Sequence, residues 1–428
     1  MSFIIGPMRK HLEGHKELTN GSDVTRLIAP EVVFIPLVNG NSVAELLVSE
    51  GDKVKIGTKI AVCKGNFEVP LFSSVSGIVK GVKQVMHSSL KPVDHLEILN
   101  DGLDEKEDLP KIDYTNASPA ELVEFTKNSG IIGCGGASFP TYVKYLKPEN
   151  LDTLIINAVE CEPYITADYK EIKHAMDEFV VGVKMMMKMA SAKKAFIGIK
   201  KDKKEFIALV QKAIQSDETI EVIGVSDVYP MGWERTLVYE ITKKRYDRLP
   251  GEVGCVVNNA TTAISLAQAA LSHTPIVEKI VTVSGDGIKN PQNVLVRVGT
   301  PVSAIIHHCG GYAAEDVNLI AGGPMMGRTV TNDEFVVGPS NNAITVLINK
   351  DIPSMSCLRC GKCTDHCPAA LQPVRINQAE KTKNFDMLNR LAVDQCVECG
   401  MCTYICPSKL DVTEGVRRAK RYMALKRK

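Results

Sequence analysis

The sequence predicts a multidomain chain of α/β and β architecture that ends in a helical, cysteine-rich segment. Three observations carry this. Residues 31–81 alternate short β-rich runs with glycine turns. Residues 119–270 alternate strand-like with helix-like runs, as in an α/β domain with a largely parallel sheet. Near the C-terminus a tight four-cysteine motif occurs twice.

Length and composition agree with this. At 428 residues, with 44% hydrophobic and 24% charged residues, the chain can bury more than one core. A net charge of +1 gives no signal for a nucleic-acid partner, and none is expected. No apolar run reaches membrane-spanning length; FVVGVKMMMKMA is interrupted by Lys184 and Lys188. The N-terminus MSFIIGPMRKHLEGH places its basic residues after the apolar stretch, unlike a signal peptide. The expected location is therefore cytoplasmic.

The first domain is expected over residues 1–100. In EGDKVKIGTKIAV and SSVSGIVKGV, apolar residues alternate around Gly51-Asp52 and Gly57, as in small half-buried strands. The segment resembles the barrel-sandwich hybrid domain of biotinyl and lipoyl carriers. Those carriers modify a lysine at a hairpin tip, usually beside methionine. Here the tip is CKGNFEVP, and Lys64 has no methionine neighbour, so the domain reads as structural. An acidic, polar linker with Pro110 follows over 101–118.

The α/β domain is expected over 115–275. Its strands are LDTLIINAV, KAFIGIK, IEVIGV and CVVNNA, and the methionines at 185–189 read as helix core. Within it, GIIGCGGASFPTYVKY (130–145) places Gly133, Gly135 and Gly136 where backbone N–H groups could approach a phosphate. After the next strand, NAVECEPYITADYKE puts Asn157, Glu160 and Glu162 at a C-terminal strand end, the edge where open α/β sheets bind ligands. Locally, a capped strand-to-helix loop explains these residues equally well.

Residues 278–330 return to β-rich alternation, ending in NLIAGGPMMG; His307-His308-Cys309 lacks a fourth ligand at sensible spacing and reads as a strand end. The tail VRRAKRYMALKRK carries seven basic residues, either a solvated helix end or a docking surface for an acidic partner.

Residues 357–368 (CLRCGKCTDHCP) and 396–407 (CVECGMCTYICP) both fit C-x2-C-x2-C-x3-C-P. This spacing suits two [4Fe–4S] clusters, three thiolates coming from one loop and the fourth from the other motif. Cys357, Cys360, Cys363 and Cys406 would hold one cluster, and Cys396, Cys399, Cys402 and Cys367 the second. Gly361 and Gly400 let the loops turn closely. A pair of zinc sites is the alternative, but zinc does not call for the repeated fourth cysteine and proline. The stretch 371–394 reads as a helical insert.

GCGGASFPTYVK resembles the flavin-binding GRGGAGFPTGLK of the flavoprotein subunit of respiratory complex I, INAVECEPYITAD its NADEGEP segment, and VVNNATT (256–262) its VVNNVET. NAVECEPYITAD and GGPMMG together resemble the RnfC family more closely, the NADH-side subunit of the Rnf ferredoxin:NAD oxidoreductase complex. The resemblance covers nearly the whole chain. It implies a barrel-sandwich hybrid domain, a flavoprotein-like α/β domain, an SLBB-like β-grasp domain (276–345) and a two-cluster ferredoxin-type segment (350–428). By the same resemblance Gly133, Gly135, Lys144, Asn157, Glu160, Asn258, Asn259 and Thr262 would bind FMN, while Phe139, Glu162 and Glu234 would face NAD(H). Ser138, Val159 and Trp233 depart from the complex I pattern, and IPLVNGNSVAEL replaces the QHIGAP usual in the family.

The implied function is electron transfer between NAD(H) and iron–sulfur clusters through FMN. The implied partners are membrane and iron–sulfur subunits of an Rnf-type complex, and ferredoxin indirectly. Such a chain would sit peripherally on the cytoplasmic face of the cell membrane. Two alternatives stand beside this: a soluble paralogue donating to a proline reductase or cobalamin reductase, and a cluster-bearing adaptor without flavin.

Overall fold

The computed structural model describes residues 5–7, 10–40, 42–147, 150–350 and 352–426. Residues 1–4, 8 and 9 of the N-terminal stretch and the last two basic residues of the tail lie outside them.

Two four-stranded antiparallel sheets form the N-terminal sandwich. One runs Val32–Pro36, Lys91–Asn100, Gly77–His87, Lys53–Val54; the other Val38–Asn39, Ser42–Leu46, Lys59–Cys63, Val69–Phe72. Inward-facing Val33, Ile35, Ile60, Val79, Leu96 and Ile98 fill the space between them, the alternation that the pleat imposes on a half-buried strand. Lys64 at the hairpin tip ion-pairs with Glu45.

The central sheet is wholly parallel, in the order Ile220–Val225, Lys194–Lys200, Thr153–Asn157, Cys255–Asn259. The helix Pro119–Asn128 starts at a capping box, Ser118 with Glu121, and carries Pro119 in its first turn. Met185, Met186 and Met189 are buried on the helix Met176–Ala190. That helix lies tightly on Ala260–Leu271: a Cβ at Gly182 would come within 1.9 Å of the Ala263 carbonyl oxygen.

A six-stranded mixed sheet follows, in the order Val24–Arg26, Gln292–Arg297, Glu278–Ser284, Ala343–Ile348, Val317–Ala321, Arg328–Val330. Its edge strand comes from the N-terminal hundred residues and pairs in parallel with Gln292–Arg297. The expected strand end at His307-His308-Cys309 is instead the end of a helix, Val302–His308. Val302, Ile305 and Ile306 fall on one face at helical spacing and are buried against the sheet, which overrides their β propensity.

The cysteine-rich segment is helical. Pro373–Lys381 and Phe385–Arg390 connect the two motifs, as expected, and Val412–Lys426 packs on them through Val416, Ala419 and Met423. Three of the tail's seven basic residues are used within the fold: Arg417 and Lys420 pair with Glu398, and Arg418 with Glu380.

Candidate functional site: a glycine loop beside paired cysteine motifs

Asn157 and Asn259 are register partners at the C-terminal ends of adjacent parallel strands. The glycine loop closes over this edge. Gly133 N–H donates to the Phe139 carbonyl (2.8 Å) and Cys134 N–H to Thr262 Oγ1 (3.0 Å). Gly136 has φ +113°, reached readily only by glycine, and open space where a side chain would project. A Cβ at Gly135 would lie 3.3 Å from the Asn259 side chain. No side chain projects at Gly135 or Gly136, while the Gly133 and Cys134 N–H groups are already bonded within the fold.

The loop is gripped by both flanking units. Ser138 donates to Ser340 Oγ (2.7 Å) from the mixed-sheet region, and Phe139 meets Phe67 of the sandwich edge-to-face at 5.7 Å.

Several predicted residues hold the walls. Asn258 is buried and donates to the Tyr145 hydroxyl (2.5 Å). Asn259 caps the following helix, accepting from Thr262 N–H, and donates to Asp168 (2.7 Å). Asn157 donates to the Gly232 carbonyl (2.7 Å). Lys144 lies on a short 3-10 helix, Thr141–Tyr145, and donates to the Val257 carbonyl. Burial lowers its pKa, against the pull of the nearby Glu234 carboxylate. Glu234 accepts from the Tyr246 hydroxyl (2.9 Å).

Glu160 accepts the Asp168 N–H (2.9 Å), and Lys16 lies 3.6 Å away. Burial pushes its carboxyl up to about 7, with Lys16 opposing. Glu162 bonds differently. Its Oε1 accepts two backbone N–H groups, from Met325 (2.7 Å) and Met326 (2.9 Å), and the Tyr229 hydroxyl, which donates to the Cys399 carbonyl (2.7 Å), lies 3.3 Å from its Oε2. Burial raises its pKa, against those donors. Lys16, Asp168 and Tyr229 were not legible as site residues. Lys16 arrives from a distant N-terminal segment, and Tyr229 shows only as a residue before a proline.

Cys367, Cys396, Cys399 and Cys402 line one cavity, whose remaining wall is largely apolar, with Pro368, Ala369, Ile376, Met401 and Val416. Thr413 Oγ1 lies 3.2 Å from Cys402 Sγ. The other motif is more open: Cys357 and Cys360 are exposed, Cys363 and Cys406 half-buried. Two bonds draw it to the chain after Cys406, Met355 N–H to the Ser408 carbonyl and Ser408 Oγ to the Ser356 carbonyl, each 3.0 Å. The motifs repeat in conformation. Gly361 and Gly400 both have φ +77°, and Arg359 and Glu398 each donate N–H to the first sulfur of their motif at 3.4 Å. Amides aimed at sulfur stabilise thiolate charge, which suits a cluster. The donor set therefore fits two [4Fe–4S] groups.

Four family models match the chain in turn. They are the RnfC barrel sandwich hybrid domain (residues 10–103), the Nuo51 FMN-binding domain (126–268), the SLBB domain (280–329) and the 4Fe-4S dicluster domain (350–407). The chain is 34% identical to a subunit of the proton-translocating ferredoxin:NAD(+) oxidoreductase complex of Clostridium ljungdahlii, over 85% of this chain and 81% of that one. This chain belongs to the RnfC family. The counterpart in the Na(+)-translocating complex of Acetobacterium woodii is 34% identical over 83% of each chain. The one in the ion-translocating oxidoreductase complex of Rhodobacter capsulatus is 35% identical over 86% of this chain and 73% of that one. The RnfC fold extends further. A chain of the NAD+-reducing [NiFe]-hydrogenase in its H2-reduced state shares it at a TM-score of 0.51 and 16% identity, over 73% of this chain and 63% of that one. No helix among the described residues is long and apolar enough to cross a membrane.

Proposed function

We propose that this chain passes electrons between NAD(H) and two [4Fe–4S] clusters through FMN, as the RnfC subunit of an ion-translocating ferredoxin:NAD oxidoreductase. The observation that carries it is the meeting of the glycine loop's sheet edge with the cysteine cavity, through Glu162, Tyr229 and the GGPMMG loop. FMN, when bound, supplies the exchange between a hydride pair and single electrons.

The chain's own residues do the rest. Gly133 and Gly135 let backbone reach the cofactor, and Lys144 places a half-buried amino group beside it. Asn157, Glu160 and Asn259 shape the sheet edge, with Asn258 and Thr262 fixing the walls behind it. Phe139, Glu162 and Glu234 orient the nucleotide. Cys357, Cys360, Cys363 and Cys406 hold one cluster; Cys396, Cys399, Cys402 and Cys367 hold the other. The working units are residues 1–100, 115–275, 276–345 and 350–428, and the chain sits peripherally on the cytoplasmic face of the cell membrane beside its partner subunits.

Anaerobic purification followed by NADH titration tests this. NADH should bleach the flavin and bring up cluster EPR signals. Protein that contains no flavin and takes none up from excess FMN would overturn the reading and leave a cluster-bearing adaptor. Salt or chaotrope should strip the chain from membranes; extraction by detergent alone would count against peripheral attachment.

A further inference from the structure

The two cysteine motifs and the helices that follow them form an internal repeat. The helices Pro373–Lys381 and Val412–Lys426 begin at the same spacing from the third cysteine of their motif, Cys363 and Cys402. At the second position of these helices the repeat breaks: Thr413 stands where the first motif has Val374. Thr413 is buried, 5% exposed, and its Oγ1 lies 3.2 Å from Cys402 Sγ. Thr403 Oγ1 accepts the Thr413 N–H (2.8 Å) and lies 2.8 Å from Thr413 Oγ1 and 3.2 Å from Asp411 Oδ1. Two hydroxyl hydrogens thus stand between two acceptors, the Asp411 carboxylate and the Cys402 sulfur. Asp411 is exposed, so water satisfies it. Cys402 is half-buried in a largely apolar cavity, and as a cluster ligand it is a thiolate with no proton to give. The order that serves the buried charge runs from Thr403 O–H to Thr413 Oγ1, and from Thr413 O–H to Cys402 Sγ. Val374 offers no hydroxyl at the matching place.

We propose that Thr413 sets the reduction potential of the cluster that Cys402 ligates, by donating its hydroxyl hydrogen to the Cys402 thiolate. This rests on the two-cluster reading above. On reduction the cluster takes up one electron, and part of the added negative charge falls on its thiolate sulfurs. A hydrogen bond to such a sulfur is stronger in the reduced form, so it favours reduction and raises the potential. Thr413 acts through a ligand and touches no substrate, which makes it a positioning residue. The hydroxyl-free Val374 leaves the other cluster without this contribution, so one substitution separates the two.

The test uses the full chain with both clusters, titrated anaerobically with dithionite and redox mediators and read by EPR. Thr413→Val keeps the side chain's shape, puts the first motif's residue into the second, and loses the hydroxyl. It should lower the midpoint potential of one cluster and leave the other as an unmoved reference. The expected fall is about tenfold in that cluster's ratio of reduced to oxidised form at fixed potential, which is about 59 mV for one electron. Thr413→Ser returns a hydroxyl and should return the potential. Thr413→Ala repeats the loss if the valine variant does not assemble its cluster. Potentials unmoved in the valine or alanine variant, both clusters moved alike, or a serine variant that falls as far as valine overturns the proposal. An unmodified chain that assembles no [4Fe–4S] signals fails the two-cluster reading instead.

Discussion

Glu162 Oε1 accepts the backbone N–H of Met325 at 2.7 Å, joining the strand-end loop of the parallel sheet to the GGPMMG turn of the mixed sheet. The same oxygen takes the Met326 N–H. Replacing Glu162 with Ala leaves these donors without their acceptor, at about 1–3 kcal/mol for a buried group. Glu162→Gln keeps an acceptor oxygen. Thermal denaturation should therefore show a clear fall for Ala and a small one for Gln. Equal losses would mean that the bond pair is not what fixes the turn.

Gly135→Val should lose flavin. The branched side chain must push against Asn259, which caps the helix Ala260–Leu271 and binds Asp168. Disturbing such a cap costs roughly 1 kcal/mol, so the protein should stay folded while its flavin-to-protein ratio drops. Full flavin content in the variant would remove Gly135 from the cofactor's surroundings.

Glu234→Gln should keep flavin and slow its reduction by NADH, read by stopped-flow absorbance. The Tyr246 hydroxyl can still donate to the amide oxygen, so stability should change by less than about 1 kcal/mol. An unchanged rate would place Glu234 outside the nucleotide's reach.

Cys406→Ala should remove the cluster of Cys357, Cys360 and Cys363 and spare the one beside Tyr229. Iron content should fall from about eight to about four atoms per chain. Loss of the cluster of Cys396, Cys399 and Cys402 with that of Cys357, Cys360 and Cys363 intact would show that each motif supplies its own fourth ligand.

Glu160 gives a pH dependence of definite sign. Burial holds its carboxyl protonated up to about 7 in the folded chain, against an ordinary value of 4.5. The folded state thus binds more protons than the unfolded state between these values. Its contribution is fully present below 4.5 and is lost as pH rises towards 7. Glu160→Gln should flatten that fall in denaturation midpoints. A slope identical to the unmodified chain's would assign it to other groups, such as Glu171, which burial also raises to about 7.

The sequence by itself determined the order of units, the doubled cysteine motif and the glycine loop. Each rests on local rules: a period of two in strands, alternation of strand and helix, and thiolate spacing around a cluster. Those rules failed where a local run had two uses, as at Val302–His308, whose β-branched residues became a helix because one face could be buried. Only the tertiary structure decided what lies across long chain separations. Val24–Arg26 completes a sheet whose next strand is Gln292–Arg297. Lys16 reaches Glu160, Phe67 meets Phe139, and Tyr229 joins Glu162 to Cys399. Motifs of identical cysteine spacing thereby became a more buried and a more exposed cysteine set, because burial is fixed by the neighbours that packing brings, and those neighbours leave no mark on the motif's own spacing.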